Sequence, residues 1–204
     1  MKVWTKNLKL KIEKILEKYS IKKPFVVYTG SLYPHKNVES LVQAVKCFND
    51  LNHDNKKLTL VIVCARNIFY DRFLEKVKKL KAQDLVNLVG FVPDEEIGSL
   101  YSQAEAFVFP SFWEGFGLPG LEAMGLGLPV LAARASCLPE VYGEAALYFD
   151  PHQTTDLVKK IKKIKEDKKL REELIKKGLA QVKKYSWGKT AKETLKVYQS
   201  LHKP

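Results

Sequence analysis

Leu58-Thr-Leu-Val-Ile-Val-Cys64 is apolar at every position but Thr59 and rich in β-branched and branched aliphatic side chains. A run this short, with no polar face of either period, reads as a strand covered on both sides rather than as half of an amphipathic element. Working outward, Phe25-Val-Val-Tyr-Thr-Gly30 has the same character and ends in glycine. Residues Asn87 to Val92, Ala106-Phe-Val-Phe109, Pro129-Val-Leu-Ala-Ala133 and Ala146-Leu-Tyr-Phe149 continue it downstream. Helical patterns separate these runs: Val38 to Phe48, with Leu41, Val42 and Val45 facing inward, then Tyr70 to Ala82 and Pro93 to Gln103. Leu8, Ile12, Ile15, Leu16 and Tyr19 mark a leading helix, and beyond Pro151 the chain reads as helical, with Thr154 or Thr155 as a cap.

Apolar strands alternating with helices predict an α/β fold: one Rossmann-like domain of about six parallel strands, helices on both faces and a helical C-terminal extension. The expected divisions are a leading helix or linker over 1–23, a parallel core over 24–150 and C-terminal helices over 151–204. A chain of 204 residues suits one such domain. With 46% hydrophobic and 28% charged residues it is globular in composition. No apolar run reaches membrane-spanning length and the start lacks the core of a signal peptide, so a cytoplasmic location is expected. Three scattered cysteines, Cys47, Cys64 and Cys137, have neither metal-ligand nor disulfide spacing and read as small apolar filler. The net charge of +12 is concentrated in Lys2 to Lys23 and Lys159 to Lys203, interleaved with aliphatic residues. That pattern reads as the solvated faces of amphipathic helices, with an anionic membrane surface or anionic substrate as the alternative and nucleic acid excluded for want of a binding motif.

Chemistry concentrates in Ser111-Phe-Trp-Glu-Gly-Phe-Gly-Leu-Pro-Gly-Leu-Glu122. Gly115 and Gly117 allow a tight turn with bare amides, and Pro119 suits the first turn of a helix, so the stretch reads as an anion site at a helix start. Glu114 and Glu122 would repel a bare phosphate, which makes them acceptors for hydroxyl groups on the same ligand, a sugar and a ribose. Glu122 alone could instead charge a first helical turn. Lys36, after a strand, a glycine and a turn, reads as a phosphate ligand or as a solvated turn lysine. Of Phe112, Trp113 and Phe116, at least two read as packing; His35 reads as a turn residue, and Glu140 as a cap or a ligand contact. Ligands of parallel sheets bind beyond the carboxyl ends of the strands, and every unusual loop here follows a strand.

The run Phe109 to Met124, with Gly127-Leu-Pro-Val130, Leu138 to Ala146 and Tyr28-Thr-Gly-Ser-Leu-Tyr-Pro-His-Lys-Asn37, resembles the donor half of family 4 retaining glycosyltransferases. Tyr185-Ser-Trp187 resembles the start of their last helix, so the likeness spans about residue 24 to the end. The resemblance implies a GT-B donor domain that binds a nucleotide-diphosphate sugar for retaining transfer to an acceptor hydroxyl, with no metal or other cofactor. It implies catalytic roles for Glu114, at the transferred sugar, and Lys36, at the diphosphate, and places Glu122 at the ribose. The amides of Gly115, Phe116, Gly117 and Leu118 would hold phosphate with Gly30 and Ser31, and Phe91 and Val92 would face the base. Ser31 stands where many members have arginine, which makes Arg66 the candidate substitute, and Cys64-Ala-Arg66 stands where glycine is usual. The amino-terminal acceptor domain of such enzymes is not in the sequence, so the implied partner is that domain in cis or in trans, and the chain is expected to bind nucleotide but transfer little alone. A non-catalytic nucleotide-sugar-binding or regulatory subunit, or part of a nucleotide-sugar epimerase, is the alternative, and the basic surface allows a peripheral position at the inner membrane face.

Overall fold

The computed structural model describes residues 14–52 and 56–201. After a helix α1, described over residues 14–18, six strands follow: β1 Phe25–Thr29, β2 Thr59–Val63, β3 Val86–Gly90, β4 Phe107–Phe109, β5 Val130–Ala133 and β6 Ala146–Phe149. Leu8 and Ile12 of the expected leading helix lie outside the described residues. All six strands pair in parallel in the order β3-β2-β1-β4-β5-β6. Each βαβ crossover needs a helix, and α2 Val38–Leu51, α3 Ile68–Lys79, α4 Asp94–Tyr101, α5 Leu118–Gly125 and α6 Leu138–Tyr142 supply them. Two further helices, α7 Thr154–Glu166 and α8 Lys168–Gln181, close the body, and α9 Trp187–Leu201 follows.

The apolar run that decides the fold is the second strand from the edge, with all five residues of β2 buried. It is flanked in register by β1, Val27 opposite Val61, and by β3, Leu60 opposite Val86. Leu41, Val42 and Val45 are buried on α2 as the spacing predicts, joined by Val38, Ala44 and Phe48. On α7 the inward stripe is Leu157, Val158, Ile161 and Ile164, while Lys159, Lys162 and Lys163 are exposed, so this lysine run is the solvated face of an amphipathic helix. The helix starts one residue from a threonine cap: Thr154 is its first residue, Gln153 flanks it, and Asp156 accepts from the Asp150 amide at 3.0 Å. That bond braces the turn before the helix and leaves the first-turn amides uncapped, so the cap expected at Thr154 or Thr155 does not form. α3 is capped as such helices usually are, by Asn67, whose side chain accepts from the amides of Phe69 and Tyr70.

Phe107 of β4 is fully buried, with the rings of Tyr101 and Phe109 each 5.7 Å from its own. Phe107→Ala is expected to lower unfolding free energy by about 3–5 kcal/mol, since the central strand cannot collapse into the gap. The midpoint of urea unfolding at unchanged slope measures it.

Candidate functional site

The strand order reverses between β1 and β4, so the loops that leave their carboxyl ends diverge and open a crevice there. The loop after β1 begins at Gly30, with φ of +152°, where an added Cβ would lie 2.7 Å from the Tyr28 hydroxyl. That hydroxyl donates to the Ser31 carbonyl at 2.7 Å and fixes the turn. Pro34–Lys36 then form a single 3-10 turn, stopped by Asn37 in the left-handed region at φ +54°.

Asn37 ties the rim together: its side-chain amide donates to the carbonyls of Pro110, after β4, and Pro151, after β6. The Phe112 amide donates to the His35 carbonyl at 2.8 Å. These bonds hold the loops after β1 and β4 side by side, and across them Lys36 Nζ meets Glu114 Oε1 at 2.7 Å. Both side chains are mostly buried, 18% and 10% exposed.

Glu114 is held from behind by the α6 approach. Ser136 Oγ accepts from the Glu114 amide and donates to its carbonyl, to which Cys137 Sγ also donates, at 3.2 Å. Further along, Gly117 adopts φ +90°, and the buried Tyr142 hydroxyl donates to its carbonyl at 2.6 Å. Burial pushes the Tyr142 phenol up, and the charge of Glu114 adds to that. Pro119 falls in the first turn of α5, as its residue type predicts. Beneath this loop the Ser111 hydroxyl is fully buried and has no hydrogen-bond partner among the described residues.

A cavity of about 360 Å³ lies at the ends of β1, β2 and β3, and neither Lys36 nor Glu114 lines it. Gly30, Ser31, Phe91, Val92 and Glu122 all line it, although they come from two different loops and a helix. Glu122 is exposed, has neither hydrogen bond nor ion pair among the described residues, and also borders adjoining cavities of about 780 and 480 Å³. Burial pushes the nearby Tyr101 phenol up to about 12; its hydrogen bond to Thr29 opposes the shift and the Glu122 charge adds to it. Gly115 is open, with nothing within 4 Å of where a Cβ would lie. Leu118, 42% exposed, is the first residue of α5.

Arg66 does not line the cavity of about 360 Å³, although its neighbours Ala65 and Asn67 do. Its guanidinium lies 5.6 Å from the Tyr70 ring centre, and its chain packs against Gly90. Two of the three loop aromatics pack: Phe112 stacks on His152 and Phe116 meets Tyr185 edge-on, while Trp113 is 71% exposed. His35 is a turn residue stacked on Tyr33, and Glu140 charges the first turn of α6 without capping it. Cys64 is buried filler whose thiol burial pushes up to about 11, whereas Cys137 binds the Glu114 carbonyl. Sequence reasoning passed over Asn37, Ser136 and Tyr142; only Asn37, a left-handed residue type between turn and helix, left a local signal.

A family model described as "Glycosyl transferases group 1" matches residues 11–181. Among curated proteins, the O-antigen chain mannosyltransferase B of Escherichia coli is 34% identical over 92% of this chain and 49% of its own. The serotype-specific mannosyltransferase WbdA of Escherichia coli is 32% identical over 89% of this chain and 22% of its own. The chain thus spans half or less of these relatives. Of solved structures, the sucrose-phosphate synthase of Thermosynechococcus elongatus superposes with a TM-score of 0.78 at 26% identity, over 95% of this chain and 50% of that one. The C-terminal domain of a glycosyl transferase group 1 protein from Francisella tularensis superposes with a TM-score of 0.70 over 84% of this chain and 90% of that one. At 24% identity the latter shows the fold alone.

Proposed function

The chain belongs to the glycosyl transferases group 1 family, and from that premise we propose that it is the donor-binding half of a hexosyltransferase that takes a nucleotide-diphosphate sugar. The observation that carries this reading is the Lys36–Glu114 contact at 2.7 Å, set across the strand-order reversal, with Glu122 of the following helix bordering a cavity at the ends of β1, β2 and β3. A cation and two carboxylates in that order match the three parts of such a donor: charged diphosphate, hydroxylated sugar and ribose diol.

In this reading Glu122 accepts from the ribose hydroxyls, Phe91 and Val92 face the base, and Glu114 faces the transferred sugar. Lys36, with the amides of Gly115 to Leu118 at the start of α5, takes the diphosphate. Charge grows on the diphosphate as the sugar leaves, so an ammonium on a four-carbon stem stabilises the transition state more than the ground state. Lys36 and these amides supply that stabilisation without a metal. The sugar would pass with retention to an acceptor hydroxyl presented by a second domain, in cis or in trans, because catalysis needs a closed cleft that positions both substrates. The mannosyltransferase relatives make a mannosyl donor the first to test. Among the described residues no helix is long and apolar enough to cross a membrane; the lysine face of α7 suits an anionic surface, which would bring the domain to a membrane-bound acceptor.

The test is thermal unfolding of the chain with UDP, GDP, ADP and their hexose derivatives. A ligand at about 100 times its dissociation constant adds roughly 2.7 kcal/mol and so raises the midpoint by about 5–10 °C. One nucleotide series is expected to do this, with the shift lost in Glu122→Ala. No shift with any of them, at saturating concentration, sinks the reading.

A further inference from the structure

We infer that the Lys36–Glu114 ion pair is a selector, by which the site distinguishes a nucleotide sugar from the bare nucleoside diphosphate. This rests on the donor-binding reading above. The residue placed at the diphosphate and the residue placed at the sugar are in contact at 2.7 Å. Neither can engage a ligand fully until they part.

The two partners differ in freedom. Glu114 has a two-carbon stem, and its backbone is held at both its amide and its carbonyl by Ser136 and Cys137. Lys36 has a four-carbon stem, and among the described residues its ammonium approaches, besides Glu114, only the Phe109 ring, at 6.0 Å. Lysine therefore moves to the diphosphate and glutamate stays. The carboxylate left behind is 10% exposed, so water replaces only part of what it loses.

What happens next depends on the ligand. A sugar on the diphosphate carries hydroxyl donors to the stranded carboxylate and restores its hydrogen bonds. A bare nucleoside diphosphate brings no donor there and adds negative charge beside it. The ion pair thus opposes both ligands, and only the donor compensates for its loss. Transfer turns the favoured ligand into the disfavoured one, and re-formation of the pair helps to expel the spent nucleotide.

Calorimetric titration of the wild-type chain and Glu114→Gln tests this, using UDP, GDP and ADP and the corresponding nucleotide hexoses. For the base that binds, the wild type is expected to hold the nucleotide hexose more tightly than the bare diphosphate. Glu114→Gln frees Lys36 and removes the repulsion, so affinity for the bare diphosphate should rise by about tenfold or more while affinity for the hexose derivative does not rise, inverting the preference. Glu114→Gln binding the bare diphosphate no more tightly than wild type overturns the selector and leaves the donor-binding reading intact. If that variant does not fold, the wild-type preference decides, and equal or tighter binding of the bare diphosphate overturns the proposal. Absence of binding by every nucleotide overturns the donor-binding reading itself.

Discussion

Lys36→Met is expected to weaken binding of the nucleotide diphosphate sugar by about a hundredfold, the largest loss of binding from any single surface-loop change. Removing one partner of a desolvated charge pair costs about 2–5 kcal/mol, and here both consequences act against the ligand. The diphosphate loses its cation, and Glu114, 10% exposed, keeps its charge with no partner and repels the phosphates. Folding stability should fall too, by less than the ~3–5 kcal/mol of a fully buried pair, because both side chains retain some contact with water. Lys162→Met is the matched control: it removes the same charge from an exposed site on α7, where Lys162 lies 3.9 Å from Glu166. Titration calorimetry should show the control binding like wild type. Equal binding by Lys36→Met and the control would remove Lys36 from the site.

Gly117→Ala carries the largest expected effect on stability among the loop positions. At φ +90° an L-residue is strained by about 1–2 kcal/mol. Its Cβ would also lie 2.4 Å from the Tyr142 hydroxyl and 2.7 Å from a Leu138 methyl. Tyr142 and Leu138 are both fully buried, and the hydroxyl is committed to the Gly117 carbonyl, so neither can swing aside. Overpacking of this kind adds about 1–3 kcal/mol, for a total loss of roughly 2–5 kcal/mol in urea unfolding. Gly115→Ala, two residues away, meets nothing within 4 Å and should stay within about 0.5 kcal/mol of wild type. If the two variants unfold alike, the Tyr142 contact does not hold the loop. A nucleotide response surviving in Gly117→Ala at wild-type strength would show that the turn itself does not shape the site.

Much of this was legible beforehand because it is local. The strand over Thr59–Val63 is buried at every position, as an unbroken apolar run requires, and Ala146–Phe149 matches its sequence limits. Helix ends moved by one to three residues: α3 runs from Ile68 to Lys79 rather than from Tyr70 to Ala82, because Asn67 caps it early. The acidic loop announced itself through glycine spacing and two carboxylates that no helix period explains. For Arg66, position after a strand gave the loop but not the direction of a long side chain, which packs on the face of Tyr70 and does not line the cavity.

The sequence by itself determined the parallel α/β class, the rim on which the loops gather and the identity of Glu114, Glu122 and Lys36 as the groups to watch. Those inferences need only periodicity and residue chemistry within a dozen positions. Tertiary structure alone decided that Lys36 and Glu114, 78 residues apart, touch, that Asn37 binds the loops after β4 and β6, and that Tyr142 fills the space above Gly117 and Gly120. The first two contacts depend on β1 lying beside β4 and the third on β4 lying beside β5, a strand order made by burial of the whole sheet and carried by no local pattern.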